Sequence, residues 1–343
     1  METSSLDSVR TVTTVELGLS ALLTFSYTAP KITAYAKERD FSRSFFMQAV
    51  NHNSPTMSES CSKRIREAIH MVHPIQPYFA FSTDKYYKRP YRVGGIAHMY
   101  EYTCLNNTDN TTIAIPDGCI DVMFDTTSDS VADRAAGTVL TGTRVPMEQG
   151  HTYFGIRFEP GVMPVFLDGT FRELTDADVS LSDCTKNRDL ADIIRELGSF
   201  CERADYFAEY YRDALHNAAT ESSRSDRFSL YTAVRDRIQA VGGQIRIQDL
   251  EDFTGYTSRY IDKIFKAYAG ISPKTFAQII RFQGAIDHLD RDNAIPLGDL
   301  AADNGYYDQP QFIRDFRKFT GTTPREYRRL IIATDYVQKF VVS

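Results

Sequence analysis

The sequence predicts a multidomain α+β protein, with a β-rich, barrel-like N-terminal domain followed by an all-α C-terminal domain. Three observations predict it. Short β-branched and aromatic runs separated by turn residues fill positions 74–185. Apolar residues then recur at helical spacing from Asn187 onward. One helical unit occurs twice in the last third of the chain. At 343 residues there is material for more than one core, and 42% hydrophobic with 24% charged residues is an ordinary globular balance.

Residues 1–73 read as an extension with little pattern. An apolar patch runs from Leu17 to Phe25, and a helix is expected over Met57 to Met71. The first ten residues lack the basic start and apolar core of a signal peptide. Val15 to Pro30 carries Glu16 and is too short and too polar to span a bilayer. Cys61, Cys104, Cys119, Cys184 and Cys201 are odd in number and form no C-x-x-C pair, which suits reduced thiols. These features together predict a cytoplasmic protein with no membrane partner.

In the β-rich region, strands are expected at Val93 to Ala97, Thr112 to Ile115, Ile120 to Phe124 and Tyr153 to Phe158. Pro116-Asp117-Gly118 and Pro160-Gly161 supply tight turns, because Pro presets φ and Gly accepts positive φ. From 186 to 220, Leu190, Ile193, Ile194, Leu197, Phe200, Phe207, Tyr211 and Leu215 form one apolar stripe. Such a stripe packs on its own β domain or pairs with another subunit. The polar run 221–227 reads as a linker, 228–331 as the final domain, and 332–343 as a tail.

The duplicated unit carries the functional signal. Leu250, Gly255, Thr257, Ile261, Phe265, Gly270 and Pro273 are matched by Leu300, Gly305, Asp308, Phe312, Phe316, Gly321 and Pro324. Each copy reads as a short scaffold helix, a glycine turn and a second helix with a positively charged outer face, the arrangement of helix-turn-helix recognition. Thr257 is expected to cap the first recognition helix. Asp308 with Gln311 three residues later reads as a capping box for the second. Between 228 and 331 there are 15 Lys and Arg against 13 Asp and Glu, a net of +2 in a chain of net −6, so the remainder is −8. That contrast supports double-stranded DNA as the partner.

Inward spacing of Ile261, Ile264 and Phe265 leaves Ser258, Arg259, Asp262, Lys263 and Lys266 outward; Phe312, Phe316 and Phe319 leave Gln309, Gln311, Arg314, Arg317 and Lys318 outward. Arg259, Lys263, Gln311 and Arg314 are assigned to base edges, since Arg and Lys donate to guanine and Gln pairs with adenine. Lys266, Lys274, Arg317 and Lys318 are assigned to phosphates, which fix register without reading sequence.

At these residues the chain resembles the AraC/XylS-type transcriptional regulators. Gly270-Ile271-Ser272-Pro273-Lys274-Thr275-Phe276 with Arg281-Phe282-Gln283 and Ala285 resembles the family's linker helix. Asn304-Gly305-Tyr306-Tyr307-Asp308-Gln309, Phe312 to Lys318 and Gly321 to Arg328 resemble its C-terminal signature. The resemblance implies two helix-turn-helix units entering successive major-groove segments, an activator role, RNA polymerase as a partner, and a homodimer as a candidate assembly. Two positions depart from the pattern. Glu251 stands where a small residue is usual (compare Ala301), and Asp262 places an acid on the first reading face.

Upstream, Ile115 to Asp121 and Phe154 to Gly161 resemble a cupin-like N-terminal domain, which implies a sensing or dimerising module and a small-molecule effector. Two rival readings stay open. In one, the β domain only dimerises and the regulator takes no ligand. In the other, His98, His151 and an acid such as Asp121 hold a metal for cupin-type chemistry. No G-x-S-x-G elbow, P-loop or H-E-x-x-H occurs, so neither catalytic residues nor a cofactor are assigned.

Overall fold

The computed structural model describes residues 12–17, 21–28, 31–32, 74–105, 111–127, 132–185, 187–221 and 226–342. The chain divides into two compact units, Met1–Arg64 and Ile65–Ser343. In the first, β1 (Val12–Leu17), β2 (Ala21–Thr28) and β3 (Lys31–Ile32) form an antiparallel sheet in that order. The apolar patch at Leu17 to Phe25 is therefore largely strand, with Leu17 opposite Ala21 and Val15 opposite Leu23. The helix expected over Met57 to Met71 lies outside the described residues.

The second unit opens with α1 (Pro77–Phe81), then β4 (Tyr86–Pro90), β5 (Ile96–Thr103), β6 (Thr111–Ala114), β7 (Asp121–Asp125), β8 (Arg134–Ala136), β9 (Thr143–Pro146) and β10 (Thr152–Phe158). Next come α2 (Phe171–Leu174), β11 (Asp178–Ser180), α3 (Leu181–Cys184), α4 (Asp189–Glu196) and α5 (Phe200–Glu221). The main sheet has the order β11-β8-β7-β10-β5-β4-β12, and β6 pairs separately with β9. The strand expected at Val93 starts only at Ile96, because Gly94 and Gly95 take positive φ and turn the chain first.

One strand comes from an unexpected place. β12 (Phe340–Val342) lies in the stretch 332–343 that the sequence predicts as a tail. It lies parallel to β4, with Phe340 opposite Tyr86 and Val342 opposite Lys88. The expected barrel of residues 74–185 is thus a sheet whose β4 edge is covered by a segment from the far end of the chain. Phe340 packs edge-on against the buried Tyr86 ring at 5.1 Å, and Lys339 Nζ donates to the carbonyls of Ala80 and Phe81 at the end of α1.

The amphipathic stripe forms two helices, α4 and α5, interrupted at Leu197 to Ser199. Leu190, Ile194, Phe200, Phe207 and Tyr211 pack into one core with Ile96, Phe124, Phe154 and Phe158 of the sheet. Here the stripe covers its own domain. Charged groups pin the seam: the half-buried Arg195 pairs with Asp133, and buried Arg203 pairs with Glu101 at 2.6 Å.

The remaining helices are α6 (Asp226–Ala240), α7 (Ile247–Thr254), α8 (Ser258–Ala269), α9 (Pro273–Arg291), α10 (Leu297–Asp303), α11 (Gln309–Thr320) and α12 (Pro324–Thr334). Two cores hold them. Leu250, Ile261, Phe265 and Phe276 centre the first, which α6 closes. Phe282, Leu300, Phe312, Phe316 and Tyr327 centre the second, and that core is continuous with Tyr86, Tyr100 and Tyr102 of the sheet.

Candidate nucleic-acid interface

In the first unit, α7 ends at Gly255 in the left-handed conformation (φ 73°), which a side chain would strain, and α8 begins three residues later. Ile261, Ile264, Phe265 and Ala269 are buried, as their spacing of three and four residues requires. Arg259, Lys263 and Lys266 are exposed; Ser258 and Asp262 are partly covered. Lys266 Nζ pairs with Asp262 Oδ2 at 2.8 Å, one turn away. The acid on the reading face is therefore partly neutralised, and so is the cation assigned to phosphate.

Thr257 occupies the N-cap with extended backbone, but its hydroxyl makes no capping bond. This corrects the expected cap. The backbone N–H of Ser258 donates instead to Glu251 Oε1 from the scaffold helix. Position 251, anomalous as a sequence feature, satisfies an orphan donor of the recognition helix and places negative charge at its positive end.

In the second unit, Gly305 (φ 71°) makes the turn, and an added β-carbon would also run into the Gln244 side chain. Asp308 caps α11 by accepting from Gln311 N–H at 2.7 Å. The reciprocal half of the capping box is displaced by one residue, since Gln311 Oε1 accepts from the N–H of Tyr307, at 3.0 Å. Gln311 is half-buried, and its carbonyl oxygen is engaged by Tyr307. Arg314, Arg317 and Lys318 are exposed, Gln309 is partly so, and Phe312, Phe316 and Phe319 are buried. Lys274, at the start of α9, is exposed as well.

Sequence reasoning missed Tyr307, whose ring is 94% exposed immediately before the N-cap of α11. Period alone cannot find it, because a turn residue belongs to no helical face. It also missed the role of Arg281, which donates to Gly305 O at 2.9 Å and lies 5.1 Å over the Tyr306 ring, so the linker helix braces the second turn.

The β domain touches both recognition helices at their C-terminal turns. A β-carbon at Gly270, which follows α8, would collide with Arg172 of α2 and with Thr175 just after it. At the other helix, Gly142 N–H donates to Lys318 O. Deeper contacts run through α6 and α9. Gln239 donates to Pro160 O at 3.1 Å, and Tyr231 OH donates to Gly161 O. Gln283, fully buried, donates to Pro116 O at 2.8 Å and accepts from Ile75 N–H at 2.9 Å. The outward cations of α8 and α11 remain exposed while the ends of both helices are gripped.

The residues weighed for a metal are occupied otherwise. Asp121 takes a bidentate bond from buried Arg157, and His151 Nδ1 bonds Asp125 at 2.7 Å. Among the described residues no group of three His, Cys, Asp or Glu is placed to hold an ion. Cys104, Cys119 and Cys184 are buried thiols, and no described helix is long and apolar enough to cross a membrane.

Comparison with known proteins falls on the same two regions. A helix-turn-helix domain family matches residues 250–330, and a domain of unknown function (DUF6597) matches residues 95–180, so no cupin assignment is supported there. The F1 operon positive regulatory protein of Yersinia pestis is 33% identical over 86 residues, covering 25% of this chain and 28% of that protein. An uncharacterized HTH-type transcriptional regulator of Bacillus subtilis is 25% identical over 169 residues, 48% of this chain and 21% of its own. This chain thus spans about a quarter of the length of these relatives. The C-terminal domain of the response regulator AraT from Geobacillus stearothermophilus aligns at 25% identity and TM-score 0.28, over 31% of this chain and 88% of that one. Apo ToxT from Vibrio cholerae aligns at 12% identity and TM-score 0.34, over 68% and 93%. The paired turns and the buried faces agree with the matched family: residues 250–330 form a helix-turn-helix domain.

Proposed function

We propose that the protein is a sequence-specific, DNA-binding transcriptional regulator, acting as an activator under the control of a small-molecule effector at its β domain. One observation carries the DNA reading: two helix-turn-helix units, each with an exposed cationic recognition helix, are joined by a single continuous helix. At about 1.5 Å per residue the 19 residues of α9 span about 28 Å. That is close to the roughly 34 Å of one DNA turn, so one subunit can address successive major-groove segments. Arg259, Lys263, Gln311 and Arg314 are the base-reading candidates. Lys266, Lys274, Arg317 and Lys318 suit phosphates, with Ser258, Asp262 and Gln309 at the margin of the faces.

Effector control is supported by how the domains meet. Buried Gln283, Gln239 and Tyr231 tie the DNA-binding helices to turns of the β domain, so a ligand that repacks those turns changes how the readers are presented. RNA polymerase and a second copy of the chain complete the proposed partners, in the cytoplasm and without enzymatic activity.

The test is selection of genomic DNA fragments by the purified chain beside an Arg259→Ala/Arg314→Ala double variant. Enrichment of a two-part motif with centres about one turn apart, lost in the variant, is expected. Equal enrichment by both proteins would refute the assignment.

A further inference from the structure

The second recognition unit carries a side chain that neither the core nor the assigned cationic face uses. Tyr307 is 94% exposed, more than any other large apolar side chain among the described residues. Its neighbour Tyr306 belongs to the core: buried, it packs edge-on against Phe312 at 5.1 Å and lies under Arg281. The ring of Tyr307 adds nothing to that core, and the turn itself is made by Gly305.

Its place is well defined. Tyr307 immediately precedes Asp308, the N-cap of α11, and its N–H donates to Gln311 Oε1 at 3.0 Å, which fixes its backbone beside the first turn. Gln311, Arg314 and Lys318 then follow at spacings of four, three and four residues, one file along the helix. The first unit differs at the matching position. Tyr256, which precedes Thr257, is 47% exposed and stacks on Tyr260 of its own recognition helix at 5.1 Å. One tyrosine lies against its helix, and the other stands in solvent.

This end of α11 suits an apolar contact better than an anion. Asp308 is exposed, and its carboxylate accepts Gln311 N–H at 2.7 Å, so negative charge already sits at the positive end of the helix. A phosphate there would meet that carboxylate. The 5-methyl group of thymine is the apolar feature of the major groove, and it offers the ring a contact that no charge opposes.

We propose that Tyr307 reads a thymine, its ring covering the 5-methyl group of one thymine in the half-site bound by α11. The inference rests on the DNA-binding reading above and adds to it an apolar, base-specific contact at the second half-site. The two half-sites are thereby unlike, which fixes the direction in which the chain lies along the DNA.

The experiment starts from the fragment that the full chain enriches in the genomic selection. Each thymine is replaced in turn by deoxyuridine, which removes only the 5-methyl group, and affinity is measured for wild type, Tyr307→Ala and Tyr307→Phe. One replacement, in the half-site where Arg314→Ala acts, is expected to weaken wild type about fourfold, the worth of one buried methyl group. Tyr307→Phe should keep that dependence, and Tyr307→Ala should bind thymine and deoxyuridine alike. No methyl-sensitive position in that half-site, or one that persists in Tyr307→Ala, overturns the proposal. Nitration of Tyr307 by tetranitromethane, read by peptide mass, tests wild type alone. The enriched fragment should block it, and unhindered nitration in the saturated complex would also overturn the contact. Enrichment without a Tyr307-dependent thymine removes this contact only, whereas a wild type that enriches no sequence removes the regulator reading and this contact with it.

Discussion

Glu251 caps a helix that it does not belong to: its carboxylate, on α7, accepts the N–H of Ser258 at the start of α8. Two helices of one recognition unit are thereby locked end to side. Glu251→Ala is expected to cost about 1 kcal/mol, the usual worth of an N-cap, whereas Thr257→Ala should cost much less. Chemical denaturation of the two variants decides; equal losses would return the cap to Thr257.

The second unit uses a local cap instead, Asp308 to Gln311 N–H. Asp308→Ala should therefore destabilise by a similar amount, about 1 kcal/mol, and lower DNA affinity through the second half-site only. Footprinting on both half-sites would show whether the loss is one-sided.

Arg314 and Lys318 are both exposed on α11 but one turn apart. Arg314→Ala is expected to weaken operator binding by roughly 1–3 kcal/mol and to relax specificity at one base pair. Lys318→Ala should weaken all sequences alike and flatten the salt dependence. Identical sequence-independent losses would contradict the division of labour.

Gln283 joins α9 to both Pro116 and Ile75 with no exposed surface. Gln283→Leu leaves the buried Pro116 carbonyl and the partly buried Ile75 N–H unpaired, so a loss of about 1–3 kcal/mol is expected. A urea midpoint unchanged from wild type would mean that water or a rearranged turn replaces the side chain.

His151 gives the pH dependence. Its hydrogen bond to Asp125 raises its pKa above the ordinary 6.5, with the charges of Asp125 and Glu148 adding to the shift. A histidine raised on folding stabilises most fully below 6.5 and loses that contribution as pH rises through the folded value. The Tm difference between wild type and His151→Asn should thus be largest in mild acid and shrink toward alkaline pH. A difference that grows with pH would reverse the assignment.

The parts that could be read from sequence are those whose signal is local. Ile261, Ile264 and Phe265, or Phe312, Phe316 and Phe319, declare their inner face by spacing alone, and Gly255 and Gly305 mark their turns. What escaped is non-local. The three residues of β12 have no pattern that distinguishes a strand from a tail, and their partner lies more than 250 positions away. β4 was hidden by Lys88, Arg89 and Pro90, which are poor strand formers tolerated near an edge. Gln311 looked free because only the folded turn brings Tyr307 N–H to it. Glu251 looked anomalous for the same reason.

Truncation after Asp335 should expose that edge. Removing β12 leaves the outer side of β4 open and uncovers Tyr86, so amide exchange across Tyr86 to Lys88 is expected to accelerate. Unchanged exchange there would mean the tail does not pair in solution.

The linker helix α9 spaces the two helix-turn-helix units and also ties them to the β domain through buried Gln283. Its length is therefore a phase as well as a distance. One inserted residue would turn the second reader by about 100° and advance it by about 1.5 Å. It would throw the reader out of step with the groove and unseat Gln283 from Pro116 and Ile75. On the proposed function, the spacing of the two readers and their attachment to the β domain are thus set by one rod, and no change in its length can alter either alone.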